Sequence, residues 1–233
     1  MEAVSRKDFT LQAGVETLAC DIISTPGCGD VHTLFLHGAG HSTRQRQWPV
    51  REALARLGHA SAAIDFSGHG DSSALQANSL AKRLAEAQSA LDRFCRPPRT
   101  VVGVSMSGEI AMRLACIAQN QITHIVTIVG AIYDGAAFHL PFGPDFSAAL
   151  RRPDSWRDAH VLQQISGYRG RITLVRAAED KVIPSEIAGL IRENAGAAAD
   201  CRIVDLPGVD HRVSERSAED EALRELLAQL IAN

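Results

Sequence analysis

Residues 100–108 read Thr-Val-Val-Gly-Val-Ser-Met-Ser-Gly and contain the strongest structural signal of the chain. The β-branched run at 100–104 is typical of a buried strand, whereas apolar residues at 106–118 recur at helical spacing. Ser105 therefore lies where a strand turns sharply into a helix. Such a turn presents the serine hydroxyl at the edge of a sheet, which makes Ser105 the first candidate for a chemical role.

The same alternation of strand and helix patterns extends in both directions from this turn. Strand patterns occur at 9–12, 15–23, 31–36, 60–64, 100–104, 124–129, 171–177 and 202–206, and helical patterns at 48–57, 80–94, 106–118, 186–195 and 218–231. Continuously apolar strands that alternate with helices predict an α/β fold, with a mostly parallel eight-stranded sheet covered by helices on both faces. The first two strands form an antiparallel hairpin at one edge. In such sheets the active site lies beyond the carboxyl ends of the strands.

The domain organisation follows from length and from one interruption of the pattern. A chain of 233 residues suits a single α/β domain spanning residues 1–233. Residues 131–170 lack a strong period and are rich in Phe and Pro. Because a structureless loop of this length is uncommon unless it is functional, we expect a small cap insertion with one or two short helices.

Composition excludes several classes of function. The net charge of −3 and the short, scattered arginine clusters argue against a nucleic-acid partner. No segment approaches the ~20 apolar residues of a membrane span, and residues 1–10 lack a secretory signal. The five cysteines show no C-x-x-C spacing, which indicates a reduced, cytoplasmic location and no metal site. We expect a monomer or a homodimer.

The stretch Gly-Val-Ser-Met-Ser-Gly at 103–108 resembles the nucleophile elbow of the α/β-hydrolase family. The turn is strained, so the residues two positions before and after the serine must be small. Gly103 meets this requirement, and Ser107 stands where the family usually has glycine. The resemblance implies that Ser105 is the nucleophile.

Two further loops strengthen the resemblance. His-Gly-Ala-Gly at 37–40 follows a strand, as does the family loop that donates one backbone N–H to the oxyanion hole. The resemblance implies that Ala39 and Met106 supply the two donors. The stretch at 65–72 matches the D-x-x-G-x-G-x-S pattern found after the fourth strand in many members, so we interpret its His69 as structural.

The acid and base are expected after later strands. Asp180 follows the strand at 171–177 and matches the position of the family's acid, with Glu179 as the alternative. His211 follows the last strand and precedes the last helix, where the family has its base. The chain order Ser, Asp, His is that of this fold.

These features predict a serine hydrolase, specifically a carboxylesterase, that cleaves an ester with a small or medium apolar acyl group through an acyl-enzyme. The substrate would be a small-molecule ester or thioester, with no cofactor and no metal. An acyl-thioesterase and a carbon–carbon bond hydrolase remain open, as does a non-catalytic receptor or binding module. The candidate substrate-binding residues are the aromatic residues of the expected cap, Tyr133, Phe138, Phe142 and Trp156.

Overall fold

A computed structural model describes residues 3–233 and shows one eight-stranded sheet. The strands are β1 (Ser5–Ala13), β2 (Glu16–Ser24), β3 (Thr33–Leu36), β4 (Ser61–Ile64), β5 (Arg99–Val104), β6 (Ile122–Ile128), β7 (Arg171–Ala177) and β8 (Asp200–Leu206). Their order is β1-β2-β4-β3-β5-β6-β7-β8. β1 pairs antiparallel with β2 and β2 with β4, and all other pairs are parallel. The predicted fold class, with its hairpin at one edge, is confirmed.

Eight α-helices are found in the described part of the chain. They are α1 (Trp48–Arg56), α2 (Leu80–Phe94), α3 (Ser107–Ala115), α4 (Pro144–Leu150), α5 (His160–Ile165), α6 (Glu186–Asn194), α7 (Val213–Glu219) and α8 (Glu221–Ala232). Short 3-10 helices occur at Arg44–Gln47, Ala118–Asn120, Gly135–Ala137 and Ser155–Asp158. None of the helices within residues 3–233 is long and apolar enough to cross a membrane.

The central strands are buried because helices cover both faces of the sheet, whereas β1 at one edge is largely exposed. All four residues of β3 and of β4 are buried, which explains why these strands read as continuous apolar runs. On one face the apolar residues of α2, α3, α5 and α6 form the larger core cluster. On the other face, α1 and α8 form the smaller cluster with Phe35 and Val102.

The strand order reverses direction between β3 and β5, and the loops that follow these two strands belong to the candidate site. β3 lies between β4 and β5, so the chain leaves β3 toward one edge and later continues from β5 toward the other. Loops that leave neighbouring strands in opposite directions open a crevice between them. The loop after β3 and the turn after β5 border this crevice.

Residues 131–170 contain α4, α5 and two of the 3-10 helices. This agrees with the expected presence of short helices in this part of the chain. Phe146, Val161 and Ile165 are buried in the larger core cluster. The segment is therefore packed against the sheet's helical layer.

One predicted helix is wrong in its extent. The pattern at 218–231 predicts a single helix, whereas the structure ends α7 at Glu219 and begins α8 at Glu221. Asp220 adopts an extended conformation between them, and its side chain accepts a hydrogen bond from the Leu223 N–H at 3.0 Å. An aspartate in this position caps a new helix, because it satisfies an N–H that has no partner within the helix.

The Glu16 carboxylate ties β2 to the loop before α2. It lies 2.6 Å from the Lys82 ammonium and accepts hydrogen bonds from Ser73 and from the Leu75 and Gln76 N–H groups. The bond to Lys82, followed by those to Ser73 and Leu75, lowers the pKa of Glu16 from about 4.5 to about 2. A carboxyl whose pKa falls on folding stabilises the folded state above its unfolded pKa.

We expect Glu16→Gln to lower the free energy of unfolding at pH 7, and this deficit to shrink as pH falls from about 4.5 toward 2. Urea unfolding of both proteins at several pH values measures the deficit. Glu52→Gln is the matched control, because that exposed carboxylate lies 3.8 Å from Arg56 and has no comparable set of donors. A deficit that stays constant across this pH range would contradict the prediction.

Candidate active site

Ser105 lies in the strained turn between β5 and α3. Its φ of 50° is in the left-handed region, which is uncommon for a residue with a side chain. A Cβ on Gly103 would lie 2.1 Å from the Ser107 carbonyl oxygen, so only glycine fits at that position. The turn depends on this close approach of backbone to backbone.

Ser107, which departs from the usual glycine, has a clear structural partner. Its side chain is fully buried, and its hydroxyl donates to the His37 carbonyl oxygen at 2.5 Å. This hydrogen bond joins the turn after β5 to the loop after β3. A serine is therefore accommodated here, because its hydroxyl finds an acceptor in a neighbouring loop.

The structure brings together the three side chains singled out in the sequence. Ser105 Oγ lies 3.1 Å from His211 Nε2, and His211 Nδ1 lies 2.8 Å from Asp180 Oδ2. Because a carboxylate only accepts, the Nδ1 of His211 carries a proton, and in the neutral imidazole Nε2 is then the acceptor that faces the serine hydroxyl. The Asp180 side chain is 7% exposed and that of His211 is 24% exposed. A small molecule can therefore reach the imidazole, whereas the carboxylate is screened from water.

Backbone groups hold Asp180 in place. Its Oδ1 accepts hydrogen bonds from the N–H groups of Val182 at 2.7 Å and Ile183 at 3.0 Å. The alternative acid, Glu179, is exposed, and its N–H donates to the Val209 carbonyl. The carboxylate that contacts His211 is that of Asp180.

The backbone N–H groups of Ala39 and Met106 have no hydrogen-bond partners within residues 3–233. Gly38 packs against the serine, since a Cβ on it would lie 3.2 Å from Ser105 Cβ. The loop after β3 thus reaches the turn after β5, as the strand order requires.

His37 and His69 form a buried network next to this loop. His37 Nε2 accepts from the Phe66 N–H at 3.0 Å, so its proton is on Nδ1, which donates to the Gly38 carbonyl at 2.8 Å. Burial holds the pKa of His37 well below its ordinary value. His69 is placed beside His37, with 4.7 Å between ring centroids, and burial also lowers its pKa. Nε2 of each imidazole accepts a hydrogen bond, from the Phe66 N–H for His37 and from Arg83 for His69, and each ring is therefore neutral.

Arg83 is a residue that the sequence reasoning missed. It lies on α2, is 1% exposed, and donates to the Gly38 carbonyl at 3.1 Å and to His69 Nε2 at 2.7 Å. Burial lowers its pKa to about 10. The sequence pattern could have indicated Arg83. Position 83 falls on the buried face of α2 with Leu80 and Ala87, where an arginine is unexpected.

The four candidate substrate-binding aromatics all pack, partly buried, against the larger core cluster. The rings of Tyr133 and Phe142 contact Phe146, with centroid distances of 6.0 and 4.7 Å. Phe138 lies under the Arg113 guanidinium at 3.8 Å. The Trp156 Nε1 is buried and has no hydrogen-bond partner within residues 3–233. These aromatic side chains thus provide packing between residues 131–170 and the core.

A cavity of about 420 Å³ lies next to Asp180, between α6 and the ends of β6 and β7. Its apolar lining includes Val129, Leu174, Ile183, Ile187 and Ile191. None of the four candidate aromatics lines it. No cluster of three or more His, Cys, Asp or Glu side chains in the described part of the chain is placed to hold a metal ion.

Comparison with protein families identifies the chain. The sequence profile of the alpha/beta hydrolase family matches residues 33–171, which is more than half of the protein. The chain belongs to the alpha/beta hydrolase family. The matched region runs from β3 to the start of β7 and contains Ser105, Ala39 and Met106. Family membership supports a hydrolase.

Solved structures of alpha/beta hydrolases share this fold at low sequence identity. The thioesterase domain from the curacin biosynthetic pathway is 17% identical, with a TM-score of 0.72, over 97% of this chain and 99% of that one. Est1E from Butyrivibrio proteoclasticus, solved with ferulic acid bound, is 18% identical, with a TM-score of 0.70, over 97% and 100%. The Pyrococcus furiosus esterase Pf2001 is 20% identical, with a TM-score of 0.69, over 97% and 91%. The comparison with curated proteins finds no match.

Proposed function

We propose that the protein is a serine hydrolase that cleaves a carboxylic ester through an acyl-enzyme. The observation that carries this proposal is the continuous hydrogen-bonded chain from Ser105 Oγ through His211 to Asp180, with distances of 3.1 and 2.8 Å. A hydroxyl bonded to an imidazole, which is itself oriented by a buried carboxylate, is the arrangement that activates serine as a nucleophile.

The reaction begins when His211 Nε2 takes the Ser105 proton as the oxygen attacks the ester carbonyl. The Ala39 and Met106 N–H groups donate to the resulting oxyanion, and Asp180 stabilises the imidazolium. His211 then gives its proton to the alcohol that leaves. Water attacks the acyl-enzyme by the same route, releases the acid and restores Ser105.

The acyl group in this proposal is small or medium and apolar. The cavity of about 420 Å³ reaches the site at Asp180, whereas neither Ser105 nor His211 lines it. Its mainly aliphatic walls and its volume suit an apolar ligand of that size. In this proposal residues 131–170 form a cap within a single domain and exclude water from the crevice. Tyr133, Phe138, Phe142 and Trp156 do not line this cavity, and in this proposal they pack the cap against the core beside the crevice.

Fluorophosphonate labelling tests whether Ser105 is an activated nucleophile. We expect rapid stoichiometric labelling of the folded protein and no labelling of Ser105→Ala, because the probe reacts only with an activated hydroxyl. Ser89→Ala is the matched control, since that hydroxyl is bound to a helix carbonyl, Ala85 O, at 3.0 Å. If folded protein with an intact Ser105 is not labelled, a binding module becomes the better interpretation.

The bond class is tested with a substrate panel of p-nitrophenyl esters and acyl-CoA thioesters of graded chain length. One of the similar structures is named as an esterase and one as a thioesterase domain, so both classes belong in the panel. We expect kcat/KM to be higher for p-nitrophenyl esters of short and medium chains than for the acyl-CoA thioesters. A strong preference for CoA substrates would instead favour the acyl-thioesterase alternative.

A further inference from the structure

Arg83 is a buried cation that forms no salt bridge within residues 3–233. Its side chain lies on the buried face of α2, and among residues 3–233 no carboxylate comes within 4.0 Å of its guanidinium. The buried Glu86 carboxyl, one turn along α2, acts on the pKa of Arg83 from a longer distance. A buried charge is costly unless hydrogen bonds and neighbouring groups compensate it. The groups that contact the Arg83 guanidinium must therefore compensate the cost of burying its charge.

The contacts hold the guanidinium in one orientation. Its plane lies near the Phe66 and Phe142 rings, at 4.7 and 5.3 Å from their centroids. One terminal nitrogen donates to His69 Nε2 at 2.7 Å, and the His69 Nδ1 donates to the Ser42 carbonyl at 3.1 Å. The other terminal nitrogen donates to the Gly38 carbonyl at 3.1 Å. The aromatic rings and His69 thus aim one N–H of Arg83 at Gly38.

The Gly38 carbonyl oxygen accepts two hydrogen bonds. The second comes from His37 Nδ1 at 2.8 Å, and the tautomer is determined because His37 Nε2 accepts from the Phe66 N–H. Both donors come from buried side chains, where hydrogen bonds are electrostatically stronger than in water. The oxygen of this one peptide group is therefore held from two sides.

The Gly38 carbonyl and the Ala39 N–H belong to the same peptide group. In a trans peptide the N–H points away from the C=O, so the direction of one determines that of the other. Hydrogen bonds to the carbonyl polarise the group and strengthen its N–H as a donor. We propose that Arg83 is a positioning residue that aims and polarises the Gly38–Ala39 peptide, so that the Ala39 N–H stabilises the oxyanion. This inference rests on the proposed function.

The test compares Arg83→Met with the unmodified protein on a p-nitrophenyl ester and on the matching thionoester. The sulfur of a thionoester is a poor hydrogen-bond acceptor, so the rate ratio of the two substrates reports the strength of the oxyanion donors. We expect kcat for the ester to fall on the order of tenfold, less than the 10²–10³ for loss of a donor. KM and the thionoester rate should change little, which lowers the ratio.

Arg99→Met is the matched control. The Arg99 guanidinium also donates to two backbone carbonyls, Cys95 O at 3.2 Å and Asn120 O at 2.9 Å, but at the opposite end of β5. It should leave the ratio unchanged. If Arg83→Met does not fold, Arg83→Gln carries the same test, because glutamine lacks the charge and the reach to Gly38.

An unchanged ratio in a folded Arg83 variant, or equal losses on both substrates, would overturn the inference and leave the proposed function intact. A lowered ratio with retained thionoester turnover supports it. Failure of the proposed function has a different signature. In that case Ser105→Ala would retain the ester activity of the unmodified protein.

Discussion

Replacing His211 by alanine is expected to lower ester hydrolysis by about 10⁴- to 10⁶-fold, the range for loss of a single member of a serine triad. The imidazole is the only group that the structure places within hydrogen-bond reach of Ser105 Oγ among the described side chains. Without it, the serine hydroxyl keeps its proton at neutral pH and is a poor nucleophile. Steady-state kinetics on a p-nitrophenyl ester measure the loss.

The control for this prediction is His59→Ala. His59 is exposed in the loop before β4, at the amino end of the sheet and away from the crevice. Its removal should leave kcat/KM unchanged. A His211→Ala protein that is folded and retains more than a few per cent of the activity would be incompatible with His211 as the general base.

Replacing Asp21 by alanine is expected to cost about 3–5 kcal/mol of the free energy of unfolding, the range for breaking a buried ion pair by removing one partner. Asp21 and Arg51 are both fully buried, and their side chains form an ion pair. The Asp21 carboxylate also accepts from Trp48 Nε1 at 2.8 Å and lies 3.3 Å from Arg44 Nε. Alanine would leave a guanidinium buried without its counter-ion.

Urea unfolding followed by circular dichroism measures this loss in the free energy of unfolding. Two further variants serve as comparisons. Asp92→Ala, which removes an exposed carboxylate 3.9 Å from Arg99, should change stability by less than about 0.5 kcal/mol. The double variant Asp21→Ala with Arg51→Met should be more stable than Asp21→Ala alone, because no uncompensated charge is left. Equal stabilities of Asp21→Ala and Asp92→Ala would contradict the prediction.

The position of the candidate site could be predicted from sequence because its parts follow strands. Ser105, Asp180 and His211 each come shortly after a strand pattern, and parallel strands bring their carboxyl ends to one edge of the sheet. The distances between these side chains agree with that expectation. Their roles in catalysis remain predictions.

Other features depended on contacts that no local pattern records. The hydroxyl of Ser107 bonds a carbonyl 70 positions away, and Arg83 reaches Gly38 across 45 positions. A sequence shows that an arginine falls on an apolar stripe, but it does not show which buried acceptor lies opposite. The break between α7 and α8 at Asp220 also could not be predicted from the spacing of hydrophobic residues alone.

The α/β class, the strand-to-helix turn at Ser105 and the loops that border the crevice could all be predicted from the sequence alone. These depend on hydrophobic period and on residues next to each other in the chain, which are local properties. The folded structure was needed to show that Asp180 rather than Glu179 contacts His211, which nitrogen of His37 carries its proton, and that Arg83 donates to the Gly38 carbonyl. Those outcomes depend on distances and burial between segments far apart in the chain, which arise only when the sheet and its helices have packed.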